Sequence, residues 1–184
     1  MFDTILVAID RSVASKKVFE EALFLAKAHN AKLSLLHVLS EKEPGSPVMS
    51  LYTPIGDDYH YLHLPSEITH TANQMYQQQW QAFEQEGLNI LRSFANIAIA
   101  EGIVTEFQQI AGHPSSTICE MAQSHQADVI VMGRRGHSRL QEMLLGSVSN
   151  YVVHHAPCSV LLVPTPQQKE QPALATDAEV NISI

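Results

Sequence analysis

Hydrophobic residues in this chain fall into short unbroken runs that alternate with stretches repeating every three to four positions. Thr4 to Ile9 is the first run, TILVAI, apolar on both faces as a strand covered on both sides reads. Asp10 stands at its C-terminal end, and Ser12 or Ser15 could cap the helix that follows. In that helix Val18, Phe19, Ala22, Leu23, Leu25 and Ala26 form one stripe, and Asn30 is a plausible stop. Lys32 to Leu39, KLSLLHVL, reads as a second strand buried on both faces.

Residues 40–66 then show no sustained period and hold four prolines and two glycines, so they read as one long loop, functional or mobile. From about Glu67 to Glu101 the chain turns helical, with Tyr76, Trp80, Phe83, Ile90, Leu91, Phe94 and Ile97 at steps of roughly three and four. Gly87 interrupts that run at a cost of about 1 kcal/mol against Ala and reads as a bend. Val104 to Ile110 is a third strand of alternating polarity, and Pro114-Ser115-Ser116 opens a short helix to about His125. Asp128 to Met132 is a fourth strand. A helix follows from about Ser138 or Ser147 to His155, and Ser159 to Val163 is a fifth strand between Pro157 and Pro164. From Thr165 the tail is polar and unpatterned and is predicted to be disordered, leaving residues 1–164 as one domain.

Strands alternating with helices predict an α/β fold, a parallel sheet doubly wound with helices on both faces. Ligands of such sheets sit beyond the strand C-termini where the strand order reverses. Asp10 and Gly133 both lie at strand C-termini, so strands one and four are expected to be neighbours.

Composition narrows the class without naming it. The chain of 184 residues is 45% apolar and 16% charged, which excludes bulk disorder and collagen-like chains. Eleven basic against nineteen acidic residues give a net charge of −8, against a nucleic-acid or membrane surface but not against one small basic pocket. Cys119 and Cys158 are too few for a disulfide framework and read as small buried hydrophobes. With no signal peptide and no apolar run near the ~20 residues of a membrane helix, the expectation is a cytoplasmic protein.

The stretch ADVIVMGRRGHSRLQEMLLGS, Ala127 to Ser147, carries the chemistry. A strand breaks on Gly133, meets Arg134, Arg135 and Gly136, and nine residues later reaches Gly146-Ser147. Unpaired N–H groups at a helix start, with the helix dipole, favour an anion there. Glycine lets the backbone approach a ligand. Two such turns could grip a polyphosphate between them; the competing reading is that the glycines only end a strand and allow close packing. A helix terminus supplies roughly 0.3–1 kcal/mol, whereas micromolar affinity needs about 8 kcal/mol. Adenine burial, hydroxyls and charge must therefore supply most of the rest. Arg135 could neutralise phosphate, Ser147 and Ser149 could hydrogen-bond its oxygens, and Asp10 could accept from ribose hydroxyls or hold a divalent cation such as Mg²⁺. Neither the P-loop nor the dinucleotide fingerprint is present.

Three segments, VAIDRS at Val7 to Ser12, LLHVL at Leu35 to Leu39 and VIVMGRRGHSRLQEMLLGSVSNYVVHHAPCSVLLV at Val129 to Val163, resemble the universal stress protein family in order and spacing. The resemblance spans Thr4 to Val163 apart from the 40–66 loop. It implies an adenine nucleotide alpha hydrolase-like fold with strand order 3-2-1-4-5, usually a homodimer. Members that bind ATP are similar in carrying the full Gly-x2-Gly-x9-Gly-Ser pattern. By that resemblance Ile9 and Asp10, with Ala8 beside them, sit under ribose and base, and Val38 offers backbone contacts to adenine. Met132, Gly133, Arg135 and Gly136 line ribose and phosphates, and Gly146, Ser147, Val148 and Ser149 cradle the phosphate tail. Arg11 departs from the family, which often has glycine there.

Other candidates are weaker. His60, His63 and His70 match no recognised metal-ligand spacing, and His154-His155 suits the end of a helix. No GxSxG elbow exists, and His113-Pro114-Ser115-Ser116 reads as a helix start rather than a triad. The last strand, 158–163, is an apolar edge expected to pair with a second copy. The reading is therefore a cytoplasmic ATP-binding regulator: a nucleotide-dependent switch that responds to stress or signal, with an unknown protein partner. Two alternatives stay open, a slow ATP hydrolase or phosphotransferase, and a nucleotide-independent interaction protein acting through residues 40–66.

Overall fold

The computed structural model describes residues 1–48, 52–55, 58–61, 66–134 and 145–164, with side chains of 52–55, 58–61 and 66–68 left aside. The elements run β1 (Thr4–Ala8), α1 (Ala14–His29), β2 (Lys32–Leu39), β3 (Tyr52–Ile55), β4 (Asp58–Tyr61), α2 (Ser66–Ala100), β5 (Thr105–Ala111), α3 (Pro114–Ser124), β6 (Val129–Gly133), α4 (Ser147–His155) and β7 (Ser159–Val163). Five strands form one sheet in the order β5-β2-β1-β6-β7, every pair parallel. This is the expected doubly wound α/β sheet of order 3-2-1-4-5. β1 and β6 are neighbours, with Ile5 opposite Val129 and Val7 opposite Val131.

Alternate residues of the central strands feed two cores. Ile5, Val7, Ile9, Leu33 and Leu35 pack with Val18 and Phe19 of α1 and Leu91 and Ala95 of α2. Leu6, Leu36, Val38, Ile130 and Met132 pack on the other face with Ile118 and Ala122 of α3 and Val152 of α4. The period of two that splits them is the pleat itself. Cys119 and Cys158 are free and half-buried beside the second core, and burial pushes both thiols up. Among the described residues no helix is long and apolar enough to cross a membrane.

Four expectations need correction. The 40–66 segment contains an antiparallel hairpin, with Tyr52 opposite Tyr61 and Ile55 opposite Asp58. Its prolines hide the β-rich runs YTPI and DYHY. α2 runs unbroken through Gly87, so that glycine marks no break. α1 begins after Val13 with no side-chain cap, because Ser12 and Ser15 are engaged with Asp10 instead. β1 ends one residue early, at Ala8, and β6 runs one residue further, to Gly133. Asn30 does stop α1, in the left-handed conformation that Asn tolerates (φ 57°). The alternative helix start at Ser138 and the tail from Thr165 lie outside the described residues.

Candidate functional site

All five parallel strands point their C-termini the same way, and the chain has to turn away from the sheet there. Beyond those ends lies a cavity of about 660 Å³, within the usual range for small-molecule sites. Ala8, Ile9 and Asp10 reach it from β1, Val38 from β2, and Met132 and Gly133 from β6. Gly146, Ser147, Val148 and Ser149 close it from the start of α4. Every site residue expected from sequence that falls among the described residues thus lines one hollow at the β1–β6 reversal. Arg135 and Gly136 lie outside the described residues.

Asp10 is shaped by its neighbours. Its Oδ1 accepts from Ser12 N (3.0 Å) and Ser12 Oγ (2.5 Å), an Asx turn that carries the chain out of β1. Ser15 Oγ accepts from Asp10 N (2.9 Å) and lies 2.7 Å from both Asp10 O and Oδ1. The two serines therefore orient the carboxylate at the cavity rather than cap α1. Among the described residues no group of three His, Cys, Asp or Glu could hold a metal ion.

The glycine turns are tied to each other at one atom. The carbonyl oxygen of Arg134 accepts from Gly146 N (3.2 Å) and from Ser149 Oγ (2.7 Å). Ser149 is 2% exposed, and its oxygen also lies 3.0 Å from Gly146 O. Its single hydroxyl proton is spent inside the protein, so Ser149 faces a ligand through its backbone N–H rather than as a hydroxyl donor. Ser147, Val148 and Ser149 are the first three residues of α4, whose N–H groups have no carbonyl four residues back within the helix. Gly146 has φ −60° and ψ 154°, a conformation any residue adopts. Its glycine is thus not required by the turn, which leaves bare backbone at the cavity wall as the reason for it.

Sequence reasoning missed the opposite rim. His37 lines the cavity from within β2, Ser40, Lys42, Glu43 and Pro44 line it after that strand, and His113 and Pro114 after β5. The rule that singled out Asp10, position just past a strand C-terminus, also applies to Ser40 and His113; the long patternless segment hid it. His37 is 2% exposed and its Nε2 lies 3.2 Å from both carboxylate oxygens of Glu43, itself 8% exposed. Burial pulls the His37 pKa down, but hydrogen bonds to Glu43 and Gln109 and the charges of Glu43 and Asp10 outweigh it, leaving it above the ordinary 6.5. Arg11, the departure from the family pattern, reaches away from the cavity: its guanidinium lies 4.2 Å over the Phe83 ring and pairs with Glu86.

His60 stands on β4 and His70 is exposed on α2, while His63 lies outside the described residues. His155 Nδ1 lies 2.8 Å from Tyr151 O in the last turn of α4, where a donor suits the helix end.

Comparison with known proteins agrees with this geometry. Universal stress protein Slr1101 of Synechocystis is 50% identical over 93 residues, 50% of this chain and 86% of that protein. Universal stress protein YxiE of Bacillus subtilis is 36% identical over 89% of this chain and 99% of its own. A universal stress protein solved in complex with cAMP superposes with a TM-score of 0.59 at 23% identity, covering 90% of this chain and 98% of that one. A universal stress protein family protein of Arabidopsis thaliana solved with AMP bound gives 0.56 at 22% identity, covering 90% and 93%. These share the adenine nucleotide alpha hydrolase-like fold. The family model described as the Universal stress protein family matches residues 1–164, the whole of the sheet, both cores and both rims of the cavity, and the chain belongs to that family.

Proposed function

We propose that this protein is a cytoplasmic, ATP-binding regulator in a stress or signalling response, its conformation set by the nucleotide. The observation that carries the reading is the cavity at the β1–β6 reversal. Apolar Val38, Met132 and Val148 line it together with the glycine turns Gly133 and Gly146 and the N-terminus of α4. An apolar slot suits a purine, Asp10 suits ribose hydroxyls, and orphan amides suit phosphates. Relatives of the same fold that hold cAMP or AMP support an adenine nucleotide; the second glycine turn supports a longer phosphate tail. Arg135 and Gly136 complete the proposed set, with Mg²⁺ neutralising the tail. β7 lies at the sheet edge, with Leu161 partly exposed, and supports a homodimer through residues 158–163.

Binding to the folded state alone raises its stability, by about 2.7 kcal/mol at one hundred times Kd. A thermal-shift titration with ATP, ADP and AMP, with and without Mg²⁺, tests the reading. The expected outcome is a rise in Tm that is largest for ATP. An unchanged Tm at millimolar nucleotide would sink it.

A further inference from the structure

The rim that sequence reasoning missed contains a chain of hydrogen bonds whose direction is fixed from one end. Gln109 Nε2 on β5 donates to the main-chain oxygen of Glu84 on α2 (3.1 Å). A carbonyl oxygen only accepts, so the Gln109 amide is oriented, and its Oε1 faces His37 Nδ1 at 2.9 Å. That contact needs a proton on Nδ1. On the other side of the ring Nε2 faces the two oxygens of Glu43 at 3.2 Å, acceptors again when ionised. Both ring nitrogens therefore confront acceptors. A neutral imidazole has one N–H and cannot satisfy both, so the pair His37 and Glu43 must carry one proton beyond it.

Glu43 is the hinge pin of the corner that frames the cavity. Its Oε1 accepts from Arg11 N (3.3 Å), its N–H donates to Ser40 O (3.0 Å), and its own carbonyl accepts from Ser46 N (3.0 Å). One side chain thus joins the exit of β1, the tip of β2 and the start of the 40–66 segment. The other charges around the ring are Asp10 from the β1–α1 connection, Lys42 on the rim, and Arg11, whose guanidinium is engaged by Glu86 of α2. β5 contributes the uncharged Gln109.

We infer that His37 is a positioning residue for the 40–46 corner, and that the proton it shares with Glu43 makes ligand binding in the cavity pH-dependent. The inference deepens the nucleotide reading and rests on it for its ligand. With the proton in place Glu43 is held and the corner is seated. As pH rises and the proton leaves, two acceptors face each other across a buried contact, and Glu43 moves toward water. Ligand affinity falls with it. Glu43→Gln removes the dependence, because a glutamine amide donates to Nε2 of a neutral ring and keeps the corner closed.

Three measurements decide this. Nitrogen-15 NMR of the ligand-free chain is expected to show both His37 ring nitrogens protonated at about pH 6, with one proton lost above the ordinary histidine range. Hydrogen-exchange protection of the Glu43 and Ser46 amides is expected to drop with the same midpoint. ATP affinity is expected to weaken about tenfold more between about pH 6 and about pH 9 in the wild type than in Glu43→Gln, a difference that cancels titration of ATP itself. A single neutral tautomer at the lower pH, unchanged amide protection, or equal slopes in the two proteins overturns the inference. If ATP binds at no pH, the nucleotide reading is what fails, and the ring and amide titrations still decide the latch.

Discussion

A β-carbon built on Gly87 of α2 would lie 2.7 Å from Nδ1 of His37 on β2. It would also lie 2.4 Å from Oε1 of Gln109. Gly87 therefore stands where helix and strand come together over the His37–Gln109 hydrogen bond. Its lack of a side chain is a packing requirement. Helix propensity alone favours Gly87→Ala by about 1 kcal/mol. Overpacking costs roughly 1–3 kcal/mol, and the buried ring cannot withdraw without leaving Gln109 or Glu43. The expected outcome is net destabilisation, read from the urea midpoint. A stabilised variant would refute the packing argument.

At the opposite end of the sheet Asp128 Oδ2 accepts from Asp3 N (2.7 Å) and Thr4 N (2.9 Å) and pins the start of β1 to β6. The backbone N–H of Thr4, then that of Asp3, holds its carboxyl below the ordinary 3.8. A depressed carboxylate stabilises the fold above 3.8, and that contribution disappears as pH falls through the lower folded value. Asp128→Asn keeps an acceptor and loses the charge. Its acid unfolding profile is expected to be flatter than the wild type's at the low end, followed by circular dichroism; the effect is modest because water reaches the group.

Gly146 and Ser149 separate binding from stability. Ser149→Ala removes one of two donors from Arg134 O, and should cost roughly 1 kcal/mol of stability by thermal unfolding with a smaller change in ATP affinity. Gly146→Val adopts the same backbone angles and places a side chain at the cavity wall. It is expected to retain the fold and to weaken ATP binding more than tenfold by calorimetry. Equal affinity in Gly146→Val would mean that the ligand does not approach this turn.

Leu161 is partly exposed on β7, the edge strand of the sheet. If a second copy covers this edge, Leu161→Lys should shift the mass in light scattering from dimer to monomer at micromolar concentration. A wild-type monomer would remove the proposal.

The sheet was legible because its information is local. β2 and β7 are apolar runs whose ends coincide with punctuation, and Asn30 and Pro114 mark helix boundaries by their own backbone preferences. The β1–β6 adjacency was readable from Asp10 and Gly133 occupying equivalent strand ends. The hairpin Tyr52–Tyr61 was not, because its strands are four residues long and one contains Pro54. The His37–Glu43–Gln109 array was not either: Gln109 is 72 residues from His37, and nothing in the sequence says that a polar position on β5 will meet a polar position on β2. Gly87 was legible as a signal but its close neighbours were not, since His37 and Gln109 come from distant strands.

The single carbonyl of Arg134 that holds Gly146 and Ser149 fastens the exit of β6 to the entry of α4. Evolution can rewrite the sequence between two points so clasped without strand β6 or helix α4 registering the change. The fold thereby offers a stretch of sequence that can vary while the scaffold stays put.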